Sequence, residues 1–148
     1  MKKKSDLQRG IDYIGVTVVF YCHDGKGNFL MHKRSKNCRD EIGNWDNGGG
    51  ALEFGESFED AARREIKEEY CCEVEELKFV TMYNVLRKNG NKATHWVAIL
   101  FTAKVDPKKV RVGEPKYMDD IGWFSDKNLP EPLHSQFDIC FNLVKKHL

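Results

Sequence analysis

The spacing of apolar residues changes period several times along the chain, and each change marks an element. Ile11 to Cys22 (IDYIGVTVVFYC) is β-branched and aromatic, which predicts a strand. HDGKGN then turns the chain, and Phe29 to Arg34 (FLMHKR) returns as its hairpin partner. The next stretch, SKNCRDEIGNWDNGGG, is too polar and glycine-rich for a regular element. It is expected to be a loop of about 15 residues, a length that usually carries function in a compact domain.

Ser57 is placed to cap a helix running to about Tyr70, with Asp60 three residues later completing an approximate capping box. Phe58, Ala62 and Ile66 recur at i+4 spacing and predict its buried stripe. Leu77–Leu86 and Thr94–Val105 are extended stretches joined by a turn in RKNGNKA, and Ile121–Phe124 is a short strand after the loop RVGEPKYMDD. Phe137, Cys140, Phe141, Val144 and Leu148 have the spacing of an amphipathic helix. Strands surrounding two helices predict an α+β fold, a mixed sheet covered on its faces by helices. One domain is expected over residues 1–148, with residues 1–10 a flexible tail.

Composition narrows the function classes. The chain has 148 residues, 41% hydrophobic and 32% charged, which suits one globular domain with a substantial core. Lys plus Arg number 24 against 23 for Asp plus Glu, so the net charge of +1 gives no pull toward nucleic acid or a membrane surface. There is no long apolar run, and Lys2–Lys4 is followed by no apolar signal segment, so a soluble cytoplasmic protein is expected. Five cysteines without a C-x-x-C pair argue against a disulfide framework and a thiolate zinc site. Cys71 and Cys72 fit small side chains packed at a helix end, and the five histidines show no paired ligand spacing.

One segment changes the picture. Nine glutamates lie between Glu53 and Glu76, directly behind the glycines Gly48–Gly50. Glu65, Glu68 and Glu69 stand at i, i+3 and i+4 and share one helical face beside the apolar stripe. Either this is a solvated acidic face, offset by Arg63, Arg64 and Lys67, or it holds a cation. Two carboxylates about 6 Å apart repel by roughly 2.8 kcal/mol at an effective dielectric of 20, and a bound cation reverses that sign. Oxygen-only acids suit Mg²⁺ or Mn²⁺ and not zinc. Glycines before the helix allow backbone to approach a ligand closely, but no G-K-[ST] follows, so this is no P-loop.

Gly50, Glu56 and the run Arg64-Glu65-Ile66-Lys67-Glu68-Glu69 resemble the Nudix box, G-x5-E-x7-R-E-U-x-E-E-x-G-U, without a gap. Cys72 takes the final apolar position. Two departures are Cys71, where the box has glycine, and Gly48, where a proline often precedes it. EPKYMDDIGWFSDKNLPEPL resembles the tail of MutT-like nucleotide triphosphate pyrophosphohydrolases, and the likeness spans Ile14 to about Leu133.

The resemblance implies a Nudix fold and Mg²⁺- or Mn²⁺-dependent hydrolysis of a nucleoside diphosphate linked to another group. It favours a nucleoside triphosphate, including an oxidised one removed by house-cleaning. By the same resemblance Glu65, Glu68, Glu69 and the Gly49 carbonyl would be metal ligands, and Arg64 would orient Glu56 and the helix. The general base would be Glu65 or a later acid such as Asp119 or Asp120. Candidates for substrate contact are Gly50 and Phe54 in the box and Arg34 in the basic stretch HKRSKNCR. Trp45, Trp96 and Trp123 read as core or hinge residues, one of which can stack on a base. ADP-ribose is the alternative substrate, although the proline usual in such enzymes has no counterpart near Lys88. A nucleotide-sensing module without turnover is the alternative of a different class. The partner is a small nucleotide, and the protein would be a monomer or homodimer.

Overall fold

A computed structural model describes residues 1–148, the side chain of Asn89 excepted. The elements are β1 (Gly15–His23), β2 (Phe29–Arg34), β3 (Trp45–Asp46), β4 (Gly48–Ala51), α1 (Phe58–Tyr70), β5 (Val74–Asn89), β6 (Lys92–Val105), β7 (Met118–Phe124) and α2 (Phe137–Val144). They build a seven-stranded mixed sheet in which β1 pairs parallel with β6 and every other pairing is antiparallel. The expected α+β fold with two helices is present.

Strand alternation divides the core into two layers. Val18, Phe20 and Cys22 of β1, with Ile99 and Phe101 of β6, pack toward Ala62, Ile66 and Tyr70 of α1. The intervening Tyr21 and Leu100 face the other way, with Phe29 and Met31, toward Phe137, Cys140 and Val144 of α2. Phe137 and Phe141 stack there at 5.1 Å between ring centres.

Several boundaries differ from those expected, each for a physical reason. The first strand begins at Gly15 because Gln8–Asp12 is a hydrogen-bonded turn, with Asp12 N–H donating to Gln8 O at 2.8 Å. β2 meets β1 only at His23–Phe29; along most of its length it pairs with β7. The glycine stretch is no loop. Gly48–Ala51 is a strand, with Gly48, Gly49 and Gly50 opposite Phe20, Val19 and Val18. The hairpin after α1 is longer than its apolar core, and only Gly90 and Asn91 separate β5 from β6.

Helix α1 starts as expected, with Ser57 Oγ accepting from the Asp60 N–H at 3.0 Å. Its buried face keeps Ala62 and Ile66 of the expected stripe and differs from it at the ends. Phe58 is exposed, while Ala61, Ala62, Ile66, Glu69 and Tyr70 are buried. Two alanines let the helix come close to the sheet, and that close approach carries Glu69 inside. The helix ends at Cys71, which adopts the left-handed conformation (φ 56°, ψ 22°) and donates its N–H to Lys67 O at 3.0 Å. This is the turn that glycine makes without strain.

Cys71 is exposed, so Cys71→Gly removes backbone strain and no packing. The left-handed conformation costs a residue with a Cβ about 1 kcal/mol. The variant is expected to melt a few degrees higher in a thermal scan, with turnover within about threefold of the parent. A hundredfold loss of turnover in a folded variant would instead give the thiol a chemical role.

Candidate active site

Helix α1 lies along strand β4, and the two are fitted at the level of single atoms. A methyl group on Gly50 would lie 2.0 Å from the Glu65 carboxyl carbon. One on Gly48 would sit 2.7 Å from Glu69 Oε2 and 2.0 Å from the Phe20 ring. The glycines are therefore needed for the space that their absent side chains leave to two carboxylates. Thr17 Oγ1 donates to Gly50 O at 2.8 Å and holds the strand in this position.

The three acids on the helical face are not equivalent. Glu69 is 7% exposed, and its Oε2 is buried without a hydrogen-bond partner. Burial pushes its carboxyl well above the usual range, with the nearby charges of Glu65 and Glu114 adding to the rise. Glu65 is half-buried and its pKa is also raised by burial, opposed by the Arg64 guanidinium at 2.8 Å. Glu68 faces outward and shares Arg64 at 3.3 Å. Arg64 also holds Glu56 through two contacts, 2.5 and 3.0 Å, which lowers the Glu56 pKa. Arg64 thus orients Glu56, Glu65 and Glu68 together.

A cleft of about 560 Å³ opens over this arrangement. Gly48–Ala51 and Glu69 form one end, and Thr17, Val19, Tyr83, Val85, Thr94 and Trp96 supply the sheet surface. Arg34, Asp40 and Asp46 line it from the segment between β2 and β4. A smaller opening on the other side shares Glu69, His32, Arg34 and Arg39, and adds Glu114. His32 is buried against Tyr70, 2.7 Å from its hydroxyl, and burial lowers its pKa to about 4, so it stays neutral near pH 7.

The segment expected as an open basic loop is tied down by ion pairs. Arg34 contacts Asp40 at 3.0 Å and Asp46 at 3.3 Å, so its charge is already engaged beside the cleft. Arg87 on β5 contacts Asp40 at 3.2 Å and Glu41 at 2.9 Å. Glu41, with φ 52°, also accepts from Asn44 at 2.7 Å and from Ser135. These pairs join the segment to β5 and to the chain before α2.

Other sequence candidates fall in different places. Gly49 and Gly50 line the cleft. Phe54 is fully exposed and lines neither opening; the turn before α1 carries it outward, so it contacts neither core nor cleft. Asp119 and Asp120 belong to β7, are exposed and line neither opening. The later acid that reaches the carboxylates is Glu114, whose own pKa is raised by partial burial and by Glu68. The preceding Gly113 explains its position. Gly113 N–H donates to Glu69 O at 2.8 Å, and a Cβ there would meet Glu68 O at 1.9 Å. The GEP triplet was the available signal, but only packing shows that its glycine fits the end of α1. Gln8, from the expected tail, and Ile11, expected to open the first strand, also line the cleft. Of the three tryptophans, Trp96 reaches it; Trp45 packs on Phe124 at 5.1 Å and Trp123 on the α1 layer.

The candidate donors on α1 are carboxylate oxygens, which suit a hard divalent cation. Among the described residues no three His, Cys, Asp or Glu side chains are grouped as a ready metal cage. Arg64 engages both Glu65 at 2.8 Å and Glu68 at 3.3 Å, which leaves Glu69 as the acid of this face with no cation beside it. The unpartnered Oε2 of Glu69 fits a cation, because an unsatisfied buried carboxylate oxygen is otherwise costly.

Two expectations follow from this geometry. Without divalent metal, the folded chain keeps the Glu69 proton to higher pH than the unfolded chain does. The native state then binds more protons above the usual carboxyl value of 4.5, and stability falls as pH rises through the window up to the folded value. Glu69→Gln removes this term, so in EDTA the melting-temperature difference, variant minus parent, should grow from pH 5 to pH 8; a constant difference would contradict a raised Glu69 pKa. Gly50→Ala should displace Glu65 and weaken Mn²⁺-induced thermal stabilisation by at least tenfold in metal concentration. An unchanged Mn²⁺ titration would show that the Glu65 position is immaterial.

The chain as a whole is similar to known proteins. The NUDIX domain profile matches residues 13–141. A MutT NUDIX hydrolase from Burkholderia pseudomallei is 28% identical, with 89% of this chain and 98% of that one covered and a TM-score of 0.78. The MutT protein from Methanosarcina mazei Go1 is 25% identical, with 90% and 94% covered and a TM-score of 0.74. The NUDIX domain of Shewanella oneidensis NrtR, solved with ADP ribose, is 15% identical, covers 99% and 93%, and has a TM-score of 0.72, a likeness of fold alone.

Proposed function

The chain belongs to the NUDIX domain family, and from that premise we propose that it is a Mg²⁺- or Mn²⁺-dependent pyrophosphohydrolase acting on a nucleoside diphosphate linked to another group. The observation that carries this is the buried, unpartnered Glu69 oxygen beside Glu65, both fitted against the glycine strand. An acidic face kept only for solubility would be exposed, as Glu68 is.

Glu65 and Glu69, with Glu68 turned from Arg64 and the Gly49 carbonyl, would hold the cation. When bound, the cation supplies charge neutralisation of the phosphate oxygens and Lewis acidity toward water. The chain's own residues do the rest. Arg64 keeps Glu56 and Glu65 oriented through its fork of contacts. Glu65 has a raised pKa and can accept a proton from the attacking water, and Glu114 is the second carboxyl close enough to the helix to share that role. The sheet wall and the ion-paired segment shield the reacting phosphates from bulk water.

A nucleoside triphosphate is the favoured substrate because the two MutT structures align over most of both chains. ADP-ribose is the second reading, supported by the ligand of the NrtR domain and weakened by the lack of a proline near Lys88. A purely sensing role is disfavoured by the retention of every box acid.

A screen of nucleotides and dinucleotides with Mg²⁺, scored by released phosphate or pyrophosphate, tests the assignment. On the best substrate, Glu69→Gln should lower turnover by about three orders of magnitude, roughly 4 kcal/mol of transition-state stabilisation, with nucleotide affinity only modestly changed. Glu59→Gln, on the exposed side of α1, should leave activity near the parent value. Near-parental activity in Glu69→Gln would overturn the proposal.

A further inference from the structure

Part of the cleft is lined by the first residues of the chain. Gly10 is buried with φ 78°, and a Cβ there would lie 2.1 Å from Trp96 Nε1. Gly15 is fitted to the same indole, with a Cβ 2.4 Å from Trp96 Cε3. Both glycines are therefore shaped around one ring that lines the cleft. The segment is closed by hydrogen bonds: Gly10 N–H to Tyr13 O at 2.7 Å, Gln8 N–H to Asp12 Oδ2 at 2.8 Å, and Arg9 Nη1 to Leu52 O at 3.0 Å. His95 N–H donates to Gly10 O at 2.8 Å and joins the turn to β6. A turn with so many fixed groups is a wall, not a tail.

This wall presents two chemically useful side chains. Gln8 and Ile11 line the cleft beside Trp96. The Gln8 carboxamide makes no hydrogen bond among the described residues, and it both donates and accepts. Ile11 is 37% exposed, an apolar flank next to the indole. An aromatic ring, an aliphatic edge and a free amide are what a flat heteroaromatic ring with polar edges requires. No cation of the turn itself lines the cleft, although Lys92 of β6 does, so a probe without a base is the necessary control.

We propose that residues Gln8–Ile11, held on Trp96 by Gly10, form the nucleobase-recognition wall of the cleft, so that the N-terminal turn sets base affinity while α1 and β4 act on the phosphates. This rests on the nucleotide reading given above. It assigns the two ends of one substrate to two separate parts of the chain, and they can be perturbed independently.

The test compares two probes with Mg²⁺ by isothermal titration: a non-hydrolysable analogue of the nucleoside triphosphate chosen by the activity screen, and inorganic tripolyphosphate, which has no base. The double variant Gln8→Ala/Ile11→Ala removes only cleft-lining side chains, and Gly10→Ala pushes the turn off Trp96. Each is expected to weaken the nucleoside triphosphate about tenfold or more while tripolyphosphate binds within about twofold of the parent. Should Gly10→Ala fail to fold, the double variant alone decides. Equal loss for both probes, or no loss for either, overturns the wall as a base site. Failure of the unsubstituted protein to bind any nucleotide would overturn the broader functional reading instead.

Discussion

The close contact between α1 and β4 is the constraint on which the rest of the site depends. Ala61 and Ala62 on the helix, and Gly48 and Gly50 on the strand, remove the side chains that would otherwise separate the two. The volume released is filled by the carboxyl groups of Glu65 and Glu69. Placing acids in a tight helix–strand seam is unfavourable for stability, because burial opposes their ionised form. The proposed binding of a divalent cation would account for their presence there.

Three arginines beside the site are engaged in orienting acids, while Arg39 and Lys92 line the cleft outside these ion pairs. Arg64 bridges Glu56, Glu65 and Glu68, and leaves Glu69 without a cation of its own. Arg34 and Arg87 are likewise paired with Asp40, Asp46 and Glu41, which fixes the segment beside the cleft. The cleft therefore combines a rigid wall with an uncompensated acid at one end. That division separates positioning from chemistry, since the residues holding the shape are not those left with unsatisfied charge.

Much of this was legible in one dimension. Helix α1, its Ser57 cap and the acidic face followed from periodicity and capping chemistry, and the need for a left-handed residue at Cys71 followed from the box resemblance. The polar segment before β4 was harder. Its order comes from Arg87, which is 47 residues from Asp40 in sequence. Glu114 was equally hidden, because its approach depends on a glycine fitting the end of a distant helix. Asp119 and Asp120, the later acids expected from the sequence, lie exposed on β7 and line neither opening.

By itself the sequence determined the elements, the spacing of Glu56, Arg64, Glu65, Glu68 and Glu69, and the oxygen-rich chemistry those residues share. Local rules suffice there, since capping and helical spacing act within a few residues. Only the tertiary structure decided which acid is buried, that the glycines are a strand cradling carboxylates, and that the N-terminal turn closes the cleft on Trp96. Those outcomes depend on which surfaces are pressed together, and no residue carries that information in its neighbours along the chain.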